Sequence, residues 1–214
     1  MHDYRQLRGR FDKLVSIEMI EAVGWRQLGA FFAKCLQLLA ADGAMLLQAI
    51  TIDDRVYEVE KASRSFMNSY IFPGGCLPSL GVIFRAVAKR TDLQAVGLED
   101  LTRHYVETLR RWRANFAANR SALADLGYDE RFRGIWTLYL AYCEAGFAER
   151  RICDIQLLLT KPHSHLTSGE RPESRSRNAP PDLAASGRST PSTPSLPNAH
   201  RGAWTKCARP DPPA

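Results

Sequence analysis

The sequence lacks several short motifs by which enzymes and metal proteins are often recognised. No GxGxG-type turn follows an apolar run, and the one adjacent glycine pair, Gly74 and Gly75, precedes Cys-Leu-Pro rather than a helix start. The five cysteines form no CxxC pair and have no histidine at metal-ligand spacing. The chain by itself therefore predicts no dinucleotide-type loop, no disulfide framework and no metal site.

Long apolar runs and clusters of one charge are also missing. Polar residues interrupt the two longest apolar stretches, 31–41 and 44–52, well below the roughly 20 apolar residues of a membrane span. The charged start, MHDYRQLRGRFDK, does not resemble a secretion signal. The 29 basic and 23 acidic residues are spread along the chain. We expect a cytoplasmic protein that binds no nucleic acid and has at most a weak attraction to anionic lipid headgroups.

The composition changes sharply near Pro162. Ten of the 12 prolines lie at or beyond this residue, and the stretch 163–214 is rich in Ser, Thr, Pro and Arg without periodic apolar residues. Such a segment buries too little apolar surface to offset the entropy of ordering it. The sequence predicts one domain over 1–162 and a disordered tail over 163–214, with a regulatory or membrane-binding segment around Arg171–Arg177 as the alternative.

The first 162 residues alternate strand-like and helix-like patterns. This alternation is typical of an α/β domain with a largely parallel sheet. Predicted strands are Phe11–Ile17, which is expected to be buried, Gly43–Ile52, Leu93–Leu98 and Cys153–Thr160. Predicted helices are Trp25–Leu39, Ser79–Lys89, Thr102–Leu126 and Asp129–Ala148, and Asp53–Ser69 is partly helical.

The segment SIEMIEAVG, 16–24, follows the first predicted strand. Side chains at the carboxyl ends of strands face the ligand-binding edge of an open α/β sheet. If the chain becomes helical after Ile17, Glu18 and Glu21 lie three residues apart on one side. Either these carboxylates face a ligand, or they occupy the first turn of a helix, whose dipole favours negative charge.

Two further residues are candidates. Gln48 lies within the otherwise apolar strand LLQAI, and a buried amide needs hydrogen-bond partners. Tyr105 lies on a predicted helix, where it is either a site residue or an aromatic of the core.

Six blocks occur in order between Asp3 and Pro162: DYRQLRGRFDKLVSIEMIEAVG, FFAKCLQLLAADGAMLLQAITI, SYIFPGGCLPS, HYVETLRRWRANF, FRGIWTLYLAYCEAGFAER and IQLLLTKP. Together they resemble the cyclopropane-fatty-acyl-phospholipid synthase and mycolic-acid cyclopropane synthase family. The resemblance implies the C-terminal part of a seven-stranded, doubly wound methyltransferase sheet that lacks its first strands. It also implies that the glycine-rich cofactor loop lies upstream of this chain.

The resemblance implies a set of catalytic residues around a bound bicarbonate that accepts a proton. Glu21 and Tyr105 match the family's bicarbonate-contacting glutamate and tyrosine, and Ile50 matches a residue that acts through its backbone. Gln48 stands where the family has a histidine. Since an amide cannot relay a proton, the departure at Gln48 favours simple methyl transfer over ring closure.

On the cofactor side, the resemblance implies S-adenosylmethionine. Asp3 and Tyr4 match positions that flank the adenine, while Ile17 and Glu18 match residues that line the cofactor after the following strand.

The implied function is transfer of a methylene or methyl group from S-adenosylmethionine to an unsaturated phospholipid acyl chain. The implied partners are phospholipid acyl chains at the inner face of the membrane, where the protein would be peripheral, and a homodimer is possible. Part of the aromatic surface would line an acyl-chain slot. A catalytically inactive truncated fragment and a lipid-binding remnant are the alternatives.

Overall fold

A computed structural model describes residues 3–166 as a mixed α/β fold. Its strands are β1 (Phe11–Ile17), β2 (Leu39–Ile52), β3 (Gln94–Asp100) and β4 (Ile152–Thr160). Its α-helices are α1 (Ile20–Val23), α2 (Leu28–Leu38), α3 (Tyr57–Ala62), α4 (Leu80–Arg90), α5 (Thr102–Ala118), α6 (Arg120–Asp125) and α7 (Glu130–Ala148). A 3₁₀ turn at Tyr4–Gln6 and a π turn at Met67–Ile71 complete it. The predicted α/β class is confirmed.

The four strands form one sheet in the order β1-β2-β4-β3. β1 and β2 are parallel, while β4 runs antiparallel to both of its neighbours, β2 and β3. Three of the four strands thus point in the same direction, but only one of the three strand pairings, β1 with β2, is parallel as predicted.

β1 forms one edge of the described sheet, and this corrects the expectation of a buried strand. Val15 and Ile17 are each 60% exposed, and of the strand's seven residues only Ser16 is buried. No other strand within residues 3–166 pairs with the free side of β1, so its apolar side chains stay in contact with solvent.

Side chains alternate between the two faces of β2 and β4. One face is apolar: Leu47 and Ala49 of β2 and Leu157 of β4 pack in a core beneath α2 and α4. The other face carries polar groups at Gln48, Asp154 and Gln156, beneath α5 and α7. A smaller apolar core around Leu109, Leu140, Cys143 and Phe147 joins α5 to α7. Alternation thus places a polar row of the sheet under one pair of helices.

Some helix boundaries differ from the predicted ones. The segment predicted as one helix over 102–126 breaks at Asn119 into α5 and α6. α7 begins as predicted, because the Asp129 carboxylate accepts a hydrogen bond of 2.7 Å from the Phe132 N–H. The partly helical stretch 53–69 resolves into α3 and the π turn, and α2 begins at Leu28 rather than Trp25.

Among the described residues, no helix combines the length and apolar character needed to cross a membrane. The predicted tail falls almost entirely outside these residues, since 167–214 are not described. The proposed domain boundary near 162 therefore stays a prediction.

Candidate active site

Glu18 lies immediately after β1 in an unusual backbone conformation. Its φ angle is 47°, a left-handed value that residues other than glycine rarely adopt. The Glu18 N–H donates to the Gln48 carbonyl over 3.0 Å, so the turn is held against β2. Such a conformation costs on the order of 1 kcal/mol and persists only where the surroundings fix it. Its position at the carboxyl end of a parallel strand indicates a functional site.

Glu21 lies in the first turn of α1 and reaches β2. Its Oε1 accepts a hydrogen bond of 2.6 Å from the Ile50 N–H, while its buried Oε2 has no hydrogen-bond partner. Burial raises the pKa of this carboxyl, and the nearby Glu18 contributes in the same direction. Glu18 precedes α1, so the two carboxylates converge through their contacts with β2 and not through helical spacing.

The Gln48 side chain has partners for both of its polar atoms. Nε2 donates to Asp154 Oδ2 over 3.0 Å and to Glu18 Oε1 over 3.4 Å. Oε1 accepts a hydrogen bond of 3.0 Å from Gln156 Nε2. The amide therefore joins Glu18, at the end of β1, to the polar row of β4.

Asp154 belongs to this cluster, although the sequence analysis did not single it out. Its side chain is fully buried on β4, and Oδ1 has no hydrogen-bond partner. Burial, reinforced by the Glu18 charge, raises the pKa of Asp154 to about 7, and the hydrogen bond from Gln48 opposes this shift. The signal in the sequence was a lone aspartate beside apolar residues in the strand ICDIQLLLT.

Tyr105 faces the same cluster from α5. Its hydroxyl donates a hydrogen bond to Glu18 Oε1, and its ring packs against Phe147 with centroids 4.8 Å apart. Burial, followed by the hydrogen bond to Glu18, raises the pKa of the phenol. The start of α5 is tied to β4, because Leu101 N–H donates to the Asp154 carbonyl over 2.8 Å. The Tyr105 ring therefore packs in the core, and its hydroxyl is part of the site.

We define the carboxylate cluster as Glu18, Glu21 and Asp154. None of the three forms an ion pair with a residue of the described chain. Like charges so close, partly withdrawn from water, favour binding of a cation over a further anion. A sulfonium group fits this environment.

Bicarbonate fits it poorly. The Tyr105 hydroxyl, the Gln48 amide and the Ile50 N–H, which the resemblance assigns to that anion, already donate to Glu18 or Glu21. A bound bicarbonate would add negative charge to the cluster and would find these donors engaged.

The four expected cofactor residues have different surroundings in the structure. Asp3 pairs with Arg5 at 2.6 Å, which lowers the pKa of Asp3 to about 2. Tyr4 packs edge-on against Phe31 with centroids 5.6 Å apart. Ile17 and Glu18 lie together at the end of β1, with Ile17 exposed. Within residues 3–166, no hydrogen bond or ring contact joins Asp3 or Tyr4 to the carboxylate cluster.

An aromatic groove of about 440 Å³ lies between α5 and α7. Its lining includes Trp112 and Phe116 of α5 and Trp136, Tyr139 and Leu140 of α7. The Glu18 carboxylate also contributes to the raised pKa of Tyr139, about 12, behind the larger effects of burial and Cys143. Tyr139, in the wall of the groove, therefore lies within electrostatic range of Glu18.

A second pocket of about 410 Å³ is basic and lies beside the turn Pro73–Gly75. Lys61, Arg64 and Trp25 contribute to its wall. The next residue of the turn, Cys76, donates its N–H to the Glu21 carbonyl over 3.0 Å. We call this the basic pocket. The turn beside this pocket is joined by that backbone hydrogen bond to α1, the helix that carries Glu21.

Comparison with known proteins gives consistent matches. A family profile described as "Mycolic acid cyclopropane synthetase" matches residues 1–157. A tuberculostearic acid methyltransferase of Mycobacterium tuberculosis is 45% identical over 145 residues, 68% of this chain and 34% of that protein. A cyclopropane-fatty-acyl-phospholipid synthase of Escherichia coli K12 is 36% identical over 160 residues, 73% of this chain and 38% of that protein. The chain thus spans 34% and 38% of these two curated relatives.

A solved mycolic acid cyclopropane synthase complexed with S-adenosylhomocysteine superposes with a TM-score of 0.67 at 28% identity. The match covers 74% of this chain and 58% of that one. A cyclopropane synthase from Mycobacterium tuberculosis gives a TM-score of 0.65 at 26% identity, with the same coverage of 74% and 58%.

Proposed function

The chain belongs to the mycolic acid cyclopropane synthetase family of S-adenosylmethionine-dependent methyltransferases, and we propose that its protein transfers a one-carbon group to an unsaturated phospholipid acyl chain. The observation that carries the proposal is the carboxylate cluster, without an ion-pair partner in the described chain, at the carboxyl ends of β1 and β2. Such a cluster stabilises positive charge.

S-adenosylmethionine supplies an electrophilic methyl group on a positively charged sulfur. Attack by a carbon–carbon double bond moves that positive charge onto the acyl chain. Glu18, Glu21 and Asp154 lie where this charge would develop, and fixed charges directed at a developing charge are a large source of rate enhancement. Loss of a proton from the acyl product then completes the reaction without an oxidant or a reductant.

The aromatic groove is the proposed binding site for the acyl chain. Long apolar ligands bind in concave, largely apolar clefts with few polar groups. The ring centroids of Trp136 and Tyr139 lie 4.8 Å apart in its wall, and the Phe72 ring packs on Tyr139 with centroids 6.0 Å apart. A chain lying along these rings would reach the carboxylate cluster at the Tyr139 end.

The basic pocket is the proposed site for a lipid phosphate. The Lys61 ammonium lies 4.8 Å from the Trp25 ring centroid and pairs with Glu58, while Arg64 forms no ion pair with a described residue. Arginine suits phosphate because its planar fork of donors matches the phosphate oxygens. This pocket favours a phospholipid over a free fatty acid as acceptor.

Two products are candidates. Proton loss from the added methyl group with ring closure gives a cyclopropane, and proton loss that forms a double bond gives a methylene-branched chain or an unsaturated methyl-branched chain. Gln48 favours the branched product, because its amide hydrogen-bonds Glu18 and Asp154 and cannot carry a proton between them. The relative at 45% identity is named as a methyltransferase, which agrees.

The experiment supplies the protein that carries this chain with methyl-labelled S-adenosylmethionine and vesicles of a cis-unsaturated phospholipid. Mass spectrometry of the released fatty acids should show one added labelled carbon, and fully saturated vesicles are the control. Vesicle binding without label in any fatty acid would contradict the proposal and support a lipid-binding protein. The bicarbonate, the possible homodimer and peripheral attachment to the inner membrane face stay predictions.

A further inference from the structure

The donors that the resemblance assigns to bicarbonate are divided between two glutamates. Tyr105 and Gln48 donate to a single oxygen, Oε1 of Glu18, and the Ile50 N–H donates to Glu21. A carboxylate and a bicarbonate present the same planar pair of oxygens to such donors. The Glu18 side chain therefore meets two of the donors that an anionic base would meet in this site.

Resting on the proposed function, we propose that the Glu18 carboxylate replaces bicarbonate and is itself the base that accepts the proton from the acyl chain. In this chain, the base is a residue of the protein and no soluble anion is required.

The backbone at Glu18 supports a dedicated role. Its left-handed φ of 47° would be free of strain for glycine, yet the position carries a long acidic side chain. Strained residues of this kind cluster at active sites. The conformation aims the carboxylate at the Tyr105 hydroxyl, across the end of the sheet.

The charges around Glu18 also favour a base that belongs to the protein over a free anion. The titratable groups that face it are Glu21 from α1, Asp154 from β4, Tyr105 from α5 and Tyr139 from α7. All are neutral or negative, so a free anion is disfavoured there. The unpartnered Oδ1 of the fully buried Asp154 adds a further negative group and no donor.

The step balances without another reactant. The electron pair of the double bond forms a bond to the methyl carbon while the carbon–sulfur bond breaks and the sulfur keeps its pair. A C–H bond of the resulting carbocation then breaks, and its electrons form the ring bond or the new double bond. The proton goes to Glu18, which is exposed and can return it to water.

The test compares wild type with Glu18→Gly and Glu18→Gln in buffer stripped of carbon dioxide and then supplemented with bicarbonate. Wild-type activity should be the same in both buffers. Both variants should fall about 100-fold, the usual contribution of a positioned base. Glu18→Gly, which leaves space and removes the strain, should regain activity with added bicarbonate or formate, whereas Glu18→Gln should not. Glu149→Gln, an exposed change at the end of α7, is the matched control.

A second measurement does not depend on turnover. The ¹³C resonance of labelled bicarbonate should broaden in the presence of Glu18→Gly and stay sharp with wild type. Wild-type activity that disappears on removal of bicarbonate and returns with it would overturn the inference, and so would full activity of Glu18→Gly in stripped buffer. Either result leaves the proposed function standing. Absence of labelled product from wild type in both buffers would instead overturn the proposed function.

Discussion

The Ile50 N–H and the Glu21 carboxylate are joined by a hydrogen bond of 2.6 Å that ties α1 to the centre of the sheet. This bond connects two elements that are 29 residues apart in the sequence. It uses one oxygen of Glu21 and leaves the other, Oε2, buried without a hydrogen-bond partner. Glu21 therefore combines a structural contact with a carboxylate oxygen that is free to act on a ligand.

This arrangement predicts that Glu21→Gln separates activity from stability. The amide oxygen can still accept the Ile50 N–H, so the free energy of unfolding should stay within about 1 kcal/mol of wild type. Activity should fall about 100-fold or more, because a fixed negative charge near the developing cation is lost. Label transfer and urea unfolding measure the two effects.

Glu21→Ala provides the contrast, since it leaves the Ile50 N–H without a partner and should cost about 1–3 kcal/mol of stability. Unchanged activity of the folded Glu21→Gln variant would remove Glu21 from the catalytic residues.

The raised pKa of Asp154 predicts that the free energy of unfolding depends on pH. Its pKa in the folded chain is about 7, above the ordinary aspartate value of 3.8, so the folded state binds more protons between these values. Stability from this residue is therefore full below about pH 4 and is lost as the pH rises through about 7. The loss should be on the order of 4 kcal/mol.

Urea unfolding of wild type and Asp154→Asn between pH 4 and pH 8 checks this. The variant should show a smaller decline, because asparagine resembles the protonated acid and can still accept from Gln48. The decline that remains comes from Glu21, whose pKa burial also raises. Asp3 and Asp53, whose pKa values are lowered to about 2 by Arg5 and Arg55, act only at lower pH and do not obscure the result. Parallel curves for the two proteins would contradict the prediction.

Gln48→His tests which product the site makes. The amide at 48 bridges Glu18 and Asp154 but exchanges no proton with them, whereas an imidazole between two carboxylates would be protonated and could relay one. We expect a larger share of cyclopropane among the labelled fatty acids. Gas chromatography of the methyl esters gives the ratio of ring to branch. Gln48→Leu, which keeps the size and loses all three side-chain hydrogen bonds, should leave the ratio near that of wild type while lowering stability.

The sequence predicted the strands and long helices well because their signals are local. Gly127 and Asp129 mark a helix end and a helix start by turn and capping chemistry, and the structure places α6 and α7 on either side of them. The prediction that β1 is buried was wrong, because apolar composition does not say which strands flank a segment. Asp154 was missed for a related reason: only the pairing of β2 with β4 sets it opposite Ile50, next to Gln48.

Glu18 shows where a resemblance helps and where it stops. The resemblance placed Glu18 among cofactor-lining residues, but its left-handed backbone and its bond from Tyr105 could not be read from SIEMIEAVG. Tyr105 and Glu18 are 87 residues apart in the sequence, and their contact depends on how α5 packs against β4.

Arg64 and Lys61 predict how the protein would recognise its lipid. Both side chains line the basic pocket, and each basic residue near an anionic surface contributes about 1 kcal/mol, or roughly a fivefold effect on apparent affinity. Arg64→Ala should therefore raise the KM for anionic phospholipid vesicles about fivefold and leave kcat unchanged, because Arg64 has no contact with the carboxylate cluster. The effect should shrink in high salt, which screens exposed charges.

Arg120→Ala is the matched control, since it removes an exposed arginine that pairs with Glu130, far along the chain from the basic pocket. Its KM should match wild type. If both variants raise KM equally, net charge alone governs binding, and the basic pocket is not a phosphate site. If Arg64→Ala lowers kcat with KM unchanged, the residue acts on the reaction through the turn that holds Glu21. A selective rise in KM is the result that assigns the headgroup to this pocket.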